Sequence, residues 1–344
     1  MNSAMNSGAS AATDPILVVE DLHVTFQTRG SREVRAVDGV SFEVRPGETL
    51  GVVGESGSGK SVTSLAILGL LPSRGVQVSG SIRLGGRDLL RASNRELQRV
   101  RGRQVAMVFQ DPMTSLNPVL TVGRQLTEVI RRHTSASRSE ARDKAAQLLD
   151  RVGIPDARSR LRNYPHQLSG GMRQRVMIAT ALACEPQVLI ADEPTTALDV
   201  TIQAQVLELL KELVSESNTA LILITHDLGV VAGMCNQVNV MYGGRIVETG
   251  ERHQLFANPR HHYTRGLLAS VPRLEGDETQ RLVPIQGSPR DVIAWTQGCA
   301  FAPRCVAVTE ACLGGPPDLV DSGDGCRARC VNMAPKNSSI WAAP

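Results

Sequence analysis

The sequence lacks three features that would place it in other classes of protein. No apolar run approaches the roughly 20 residues that a helix needs to cross a bilayer, and the longest, Ala220–Thr225, has the length of a buried strand. Lysine and arginine total 37 against 34 acidic residues, so the net charge of +3 gives no reason to expect nucleic acid as a partner. The first residues lack the basic and apolar regions of a signal peptide. These absences predict a cytoplasmic protein that reaches a membrane only through a partner.

The chain divides into three parts by composition. Residues 1–15, rich in Ser, Ala and Asn, are predicted to be a disordered leader. Residues 16–256 contain short apolar runs typical of buried parallel strands, such as Val188–Ala191 and Leu221–Ile224, with a stretch of helical periodicity between them. This alternation predicts an α/β core with its chemistry at the carboxyl ends of the strands. Residues 257–344 hold nine of the 18 prolines, so we expect few long regular elements and little separate core there.

A glycine-rich segment follows the apolar run Thr49–Val53 and precedes a predicted helix. This setting is typical of a phosphate-binding loop, in which backbone N–H groups and the helix N-terminus bind phosphate oxygens. Lys60 is expected to contact the β- and γ-phosphates, and the Ser61 hydroxyl is expected to bind Mg²⁺. The nucleotide-binding residues predicted in this loop are Gly54, Glu55, Ser56, Gly57, Ser58, Gly59, Lys60 and Ser61.

A second part of the predicted site follows the apolar run Val188–Ala191. Asp192 at the end of a strand can hold hydrated Mg²⁺, and the adjacent Glu193 can polarise a water molecule for in-line attack. An apolar run followed by two acidic residues is a weak signal by itself. Together with a phosphate-binding loop, it predicts hydrolysis of a nucleoside triphosphate.

The segment Leu168–Gln174 resembles the signature of the ATP-binding subunits of ABC transporters. Ser169 is a natural N-cap for a following helix, and Gly170 and Gly171 allow close approach of a backbone. In that family this helix N-terminus contacts the γ-phosphate of a nucleotide bound to a partner subunit. The resemblance therefore implies that Ser169, Gly170, Gly171 and Gln174 serve the partner's nucleotide.

The remaining family motifs stand in the expected order over about residues 16–270. The resemblance implies that Gln110 is the Q-loop glutamine and that it binds Mg²⁺ together with Ser61 and Asp192. It also implies catalytic roles for Glu193 and for His226, which would hold the γ-phosphate and the attacking water in line.

The same resemblance implies an α/β fold of the P-loop ATPase type. It would combine a mixed, mainly parallel sheet with an antiparallel β subdomain, a helical subdomain and a small cysteine-rich C-terminal extension. The helical lobe is predicted at about residues 111–167, where it would contact a permease. Ala197–Asp199 resembles the D-loop, which implies a role for Asp199, and Phe26 is the candidate for the aromatic ring that stacks on adenine.

Four segments are similar to one branch of the family, the oligopeptide, dipeptide and nickel uptake systems. They are Phe109–Pro118, Tyr164–Ser169, His262–Ser270 and Gly298–Cys305. The resemblance implies an ATPase, dependent on ATP and Mg²⁺, that energises import of oligopeptides or dipeptides, with nickel or another small solute as the alternative. Its implied partners are a second, related ATPase subunit, two membrane permease subunits and an extracytoplasmic substrate-binding protein. Its implied location is the cytoplasmic face of the cell membrane.

Two other classes of protein remain as alternatives, a soluble ABC-type ATPase and a redox-regulatory protein. Soluble ABC-type ATPases of DNA repair carry a long coiled coil between Q-loop and signature, where this chain has only about 58 residues. Those of translation carry two cassettes in one chain, whereas this sequence has one. A redox-regulatory protein would need an electron partner, for which the sequence offers nothing.

Five of the seven cysteines crowd into residues 299–330. In a reducing compartment such a cluster favours metal binding over disulfides. Their spacing lacks the close pairs of most structural zinc sites, and looser thiolate sites suit an iron–sulfur cluster. The family resemblance implies a 4Fe–4S cluster, with zinc or unliganded cysteines as the alternatives. The implied ligands are Cys299, Cys305, Cys312 and Cys330, with Cys326 as an alternate.

Overall fold

The computed structural model describes residues 14–27, 33–196, 198–271, 284–288, 298–323 and 325–336. Most of the predicted leader, and Ala197 of the predicted D-loop, lie outside these residues. Every helix in the described part of the chain is too short or too polar to span a membrane.

The first of the two sheets is antiparallel. In the described residues its strands are β1 (Leu17–Gln27), β2 (Glu33–Val44), β4 (Val76–Leu84) and β5 (Arg87–Asp88), in the order β2-β1-β4-β5. Successive side chains of a strand face opposite sides of its sheet. In β1, Leu17 and Val19, and after an irregularity Leu22 and Val24, are accordingly buried, and they pack in one apolar cluster with residues of β2 and β4.

The main sheet has eight strands in the described part of the chain. They are β3 (Thr49–Val53), β6 (Val105–Val108), β7 (Val188–Asp192), β8 (Ala220–Thr225), β9 (Gln237–Tyr242), β10 (Arg245–Glu251), β11 (Val320–Gly323) and β12 (Cys326–Ala328). Their order is β11-β12-β10-β9-β3-β8-β7-β6. The pairs from β9 to β6 are parallel, and the pairs from β11 to β9 are antiparallel. Buried apolar strands of this kind are expected in a parallel sheet covered on both faces.

Helices connect the parallel strands and build a lobe. The helices that follow or join the central strands are α1 (Lys60–Ile67), α7 (Gly170–Leu182), α8 (Val200–Glu216) and α9 (Leu228–Met234). Outside that set lie α2 (Asn94–Val100), α3 (Pro112–Ser115), α4 (Val122–His133), α5 (Arg138–Arg151), α6 (Ala157–Arg160), α10 (Arg252–Ala257) and α11 (His262–Ala269). In the lobe, Leu126 and Ile130 of α4 and Leu149 of α5 are fully buried, so the predicted helical subdomain has an apolar interior.

The C-terminal residues extend the main sheet. Strand β12 pairs antiparallel with β10, with Glu248 opposite Ala328 and Thr249 opposite Arg327. Phe301 and Cys326 are buried in the same apolar core as the central strands. The predicted boundary at residue 256 falls inside α10. Some buried residues of the tail, residues 257–344, thus belong to the core of the main sheet.

Candidate nucleotide-binding site

The glycine-rich loop joins β3 to α1 in a conformation that requires glycine. Gly54 has a φ of 152° and Gly59 a φ of 104°. A Cβ on Gly54 would lie 2.2 Å from the carbonyl oxygen of Met241, and one on Gly59 would lie 2.5 Å from that of Ala36. Both the backbone angle and the lack of space therefore exclude a side chain. The loop consequently packs against β9 and β2 and leads directly into the N-terminus of α1.

Lys60 folds back into this loop. Its Nζ donates hydrogen bonds to the carbonyl oxygens of Gly54, at 2.7 Å, and Glu55, at 3.0 Å. Burial lowers the pKa of Lys60, while the carboxylates of Glu193, Asp192 and Glu55 act in the opposite direction. The ammonium is thus held by acceptors of the loop, from which it can reach the oxygens of a bound phosphate.

Ser61 and Asp192 meet beside the loop. The Ser61 hydroxyl donates to Asp192 Oδ1 at 3.2 Å, which joins the start of α1 to the carboxyl end of β7. Burial raises the pKa of Asp192, although the hydrogen bond from Ser61 lowers it. Hydroxyl and carboxylate oxygens are hard ligands of the kind that Mg²⁺ prefers. The pair is therefore suited to hold this ion next to a bound phosphate.

Three side chains converge on the Glu193 carboxylate. Gln110 Nε2 and Thr196 Oγ1 each donate to Oε2 at 2.9 Å, and His226 Nδ1 lies 3.4 Å from Oε1. Gln110, Glu193 and His226 follow β6, β7 and β8, whose carboxyl ends share one edge of the sheet. The parallel topology thus brings together three residues that the sequence analysis selected separately.

The backbone of Glu193 lies in the left-handed region, with a φ of 46°. A non-glycine residue adopts this conformation at a cost of about 1–3 kcal/mol, so the neighbouring structure must hold it. The Glu193 N–H donates to the carbonyl oxygen of Ile224 at 2.8 Å, which ties it to β8. The carboxylate is therefore fixed by its backbone as well as by its side-chain partners.

The signature helix α7 presents its N-terminus at the surface. Ser169 is exposed and caps the helix, since its Oγ accepts from the Met172 N–H at 3.3 Å. A Cβ on Gly171 would lie 2.8 Å from the side chain of Ile202, so this glycine permits close packing of α8. Gln174 is only 2% exposed. Its side chain would have to leave the core to reach a nucleotide, which separates it from the other predicted signature residues.

Asp199 and Phe26 have local structural roles. The Asp199 carboxylate caps α8 by accepting from the Ile202 N–H at 3.0 Å. Phe26 lies in β1 opposite Val34 and Val76 and is partly buried against the core of the antiparallel sheet. Contact of either residue with nucleotide stays a prediction.

Two tail residues reach the phosphate-binding loop and were missed by the sequence analysis. The Glu55 N–H donates to the Tyr263 hydroxyl at 2.8 Å. Arg304 forms an ion pair with the Glu55 carboxylate, with N···O distances of 2.6 and 3.0 Å. Both lie in segments that were noted only for their resemblance to the uptake branch. The sequence signal for Arg304 was weak, because both Arg304 and Arg329 directly precede a cysteine of the tail.

Four tail cysteines line one pocket, and the fifth does not. The lining cysteines are Cys299, Cys305, Cys312 and Cys330. Burial raises the pKa of Cys330 to about 12, and the other three thiols act in the same direction, which places them near it. Cys326 is buried against Gly250, where its sulfur lies 2.3 Å from the position a Cβ would take. In the described residues no three His, Cys, Asp or Glu side chains converge on a single metal-ion position.

The loop, its buried lysine, the Ser61–Asp192 pair and the oriented glutamate together define a P-loop nucleoside triphosphatase. Residues 37–196 match the family described as ABC transporter, and residues 247–312 match the C-terminal region of oligopeptide/dipeptide transporters. The chain therefore belongs to the ATP-binding proteins of ABC transporters, in their oligopeptide/dipeptide branch, and the predicted family is confirmed.

Individual relatives agree with this family. The chain is 51% identical to the oligopeptide transport ATP-binding protein OppD of Salmonella typhimurium over 91% of its own length and 94% of the relative's. It is 54% identical to the dipeptide transport ATP-binding protein DppD of Bacillus subtilis over 85% and 87%. The dimeric ATP-binding cassette MJ0796 bound to ADP and Pi has a TM-score of 0.61 at 26% identity, covering 69% of this chain and 98% of that one. The predicted fold class is thereby confirmed.

Proposed function

We propose that this chain is the ATP-hydrolysing subunit of an ABC importer of oligopeptides or dipeptides. The observation that carries the ATPase activity is the carboxylate of Glu193, held by Gln110, Thr196 and His226 at the sheet edge beside Lys60. The names of the relatives OppD and DppD support peptides as the cargo and favour them over nickel.

The loop residues and Lys60 bind the phosphates of ATP. Ser61, Asp192 and Gln110 would hold Mg²⁺, which would neutralise charge on those phosphates. Glu193 accepts the proton of the attacking water, and His226 keeps the γ-phosphate in line with it. When ATP binds, Lys60 exchanges its two carbonyl acceptors for phosphate oxygens. Because the ammonium is already buried in the loop, binding does not have to remove it from water.

A second ATPase subunit, a related paralogue, completes the site. The exposed N-terminus of α7, with Ser169 and the two following glycines, is suited to bind an anion. The relation to a dimeric cassette solved with ADP and Pi supports this arrangement. We place Ser169, Gly170 and Gly171 against the nucleotide of the partner.

The helical lobe contacts the permease at the cytoplasmic face of the membrane. Four large apolar side chains are exposed in the lobe or directly before it, and the hydrogen bond from the Val122 N–H to the Asn163 oxygen joins two segments of the lobe near them. They are Phe109, Met113, Val119 and Tyr164. Exposed apolar patches of this kind are typical of sites where another protein docks. Phe109 directly precedes Gln110, so docking of the permease is coupled to the nucleotide site.

The four pocket cysteines hold a 4Fe–4S cluster with a structural role. In such a cluster each thiolate binds a different iron, so the sulfurs lie further apart than around one zinc ion. The pocket that these four cysteines line together supports this assignment. The position of Cys326 against Gly250 favours Cys330 as the fourth ligand.

Reconstitution with the permease and binding protein tests the transport function. Vesicles loaded with ATP are expected to take up labelled peptide, and Lys60→Ala is expected to abolish both uptake and peptide-stimulated hydrolysis. Arg329→Gln, a change away from the loop, serves as the matched control. Stimulation by nickel without stimulation by peptides would contradict the proposed cargo.

Metal analysis of anaerobically purified protein tests the cluster. We expect about four iron and four sulfide per chain and a brown colour. Cys330→Ser should lose both, whereas Cys326→Ser should keep them. Stoichiometric zinc without iron, or equal loss in the two variants, would overturn this assignment.

A further inference from the structure

Arg304 links the cysteine-lined tail to the phosphate-binding loop. It ends the short 3-10 turn Ala302–Arg304, one residue before Cys305, and its side chain is only 3% exposed. Nη1 lies 2.6 Å from Glu55 Oε2, and Nη2 lies 3.0 Å from Glu55 Oε1. This bidentate geometry is the strongest form of an arginine–carboxylate ion pair.

The guanidinium is fixed by groups other than Glu55. Its Nε donates to the carbonyl oxygen of Gln286 at 2.8 Å, and Nη1 also donates to the Tyr242 hydroxyl at 3.3 Å. Its central carbon lies 5.8 Å from the ring centre of Tyr242 and 6.0 Å from that of Phe301, within the range of cation–π attraction. Arg304 is therefore held by groups outside the loop as well as by Glu55.

Glu55 needs a cationic partner because of where it lies. It is part of the loop that surrounds the phosphates, and its carbonyl oxygen accepts from Lys60 Nζ. An unpaired carboxylate there would repel the phosphates of ATP, and solvent and salt would screen this repulsion only in part at a partly buried site. Glu55 is 26% exposed at its side chain, so solvent alone screens it incompletely.

We propose that Arg304 is a positioning residue for ATP, which neutralises Glu55 and fixes its side chain away from the bound phosphates. The inference rests on the proposed ATP-binding function of the loop. It makes the tail a part of the nucleotide site, because Gln286 and Phe301 of the tail help to set the place of Arg304.

Binding of different nucleotides to Arg304→Gln tests the electrostatic role. We expect the affinity for ATP to fall about tenfold, the size expected for one poorly screened charge near the phosphates. The loss should be smaller for ADP, which carries less charge, and should shrink in high salt. A purely structural anchor would weaken ATP and ADP equally and independently of salt, and that result would overturn the proposal.

Glu55→Gln gives the opposite expectation and does not depend on how well Arg304→Gln folds. It removes the negative charge but keeps a hydrogen-bond acceptor for Arg304. We expect several-fold tighter binding of ATP than in the wild type. The double variant Glu55→Gln, Arg304→Gln should recover most of the affinity lost by Arg304→Gln alone. Weaker ATP binding by Glu55→Gln would contradict the proposal.

Two controls separate this inference from the proposed function. Arg329 also anchors the tail, since it donates to the carbonyl oxygens of Ile246 and Pro317, and neither of these residues belongs to the phosphate-binding loop. Arg329→Gln should leave the affinity for ATP unchanged. If Lys60→Ala loses ATP binding while Arg304→Gln does not, only the inference fails. If Lys60→Ala also binds ATP normally, the proposed function fails.

Discussion

The main sheet has two halves that differ in construction and in use. From β9 to β6 the strands are parallel, so their carboxyl ends share one edge, and Lys60, Asp192, Glu193 and His226 lie at or just beyond those ends. From β11 to β9 the strands are antiparallel, and this half carries the joint with the cysteine tail. Parallel strands gather side chains from distant parts of the chain at one edge. The antiparallel half instead offers a sheet edge to which a remote segment can attach.

The largest expected effect lies in the parallel half. Glu193→Gln keeps the hydrogen bonds from Gln110 and Thr196 but removes the base. ATP hydrolysis by the reconstituted complex should fall by about 10²–10⁴-fold, while the affinity for ATP remains. A rate within a few-fold of the wild type would place the base elsewhere.

Ser169→Ala should have the next largest effect, and only in the assembled complex. Loss of its proposed contact with the partner's γ-phosphate should slow hydrolysis about tenfold, which corresponds to about 1.4 kcal/mol in the activation free energy. The affinity of the isolated chain for ATP should not change if Ser169 serves a partner's nucleotide, as we propose. Ser137→Ala removes a similar cap from α5 in the lobe and is the matched control. Equal rate losses in the two variants would indicate a general effect of helix capping.

The antiparallel half should show a pH dependence of stability. Glu248 in β10 is fully buried and accepts from the backbone N–H groups of Arg260 and His261. Burial raises the pKa of Glu248 from 4.5 to about 7, so the folded state binds more protons than the unfolded state between these values. Its contribution to the free energy of unfolding therefore falls as pH rises through this range, by about 3 kcal/mol.

His261 acts with the opposite sign in the same joint. Burial lowers the pKa of His261 from 6.5 to about 3, so the folded state binds fewer protons and gains stability as pH rises through that range. In wild-type protein the two effects oppose each other. Glu248→Gln should uncover the effect of His261, so that the melting temperature rises more steeply between pH 4.5 and 6.5. The same pH profile in both proteins would show that Glu248 does not titrate there.

The smallest effect is expected at the surface. Arg151 of α5 pairs with Glu216 of α8 at 2.8 Å, and both side chains are about half-exposed. Solvent screens such pairs, so Arg151→Gln should change the free energy of unfolding by no more than about 1 kcal/mol. Chemical denaturation at low and high salt measures this change. A loss above 2 kcal/mol would mean that this pair, and not the buried core, joins the lobe to the sheet.

Sequence reasoning succeeded where a function depends on a local pattern. The loop before Lys60 follows a strand and begins a helix, and Glu193 and His226 each follow an apolar run, so their shared edge could be inferred from topology alone. It did not find the contact of Arg304 with Glu55, which joins residues 249 positions apart. Nor did it find the burial of Gln174, since a polar side chain in a helix carries no signal of which face it occupies. Contacts between short segments that are distant in sequence depend on tertiary packing, and the hydrophobic periodicity of the sequence does not reveal them.

The pairing of β12 with β10 has a consequence for how the protein is made. During synthesis, β10 leaves the ribosome long before Cys326–Ala328, so one side of its backbone lacks this partner strand while the rest of the sheet can already form. An unpaired strand edge is a template for association with other chains. A nascent or C-terminally shortened chain would therefore expose an unpaired strand edge, which could pair with other chains, on a nearly complete ATPase. Attachment of the tail, besides placing Arg304, would act as the closing step that keeps newly made subunits from aggregating.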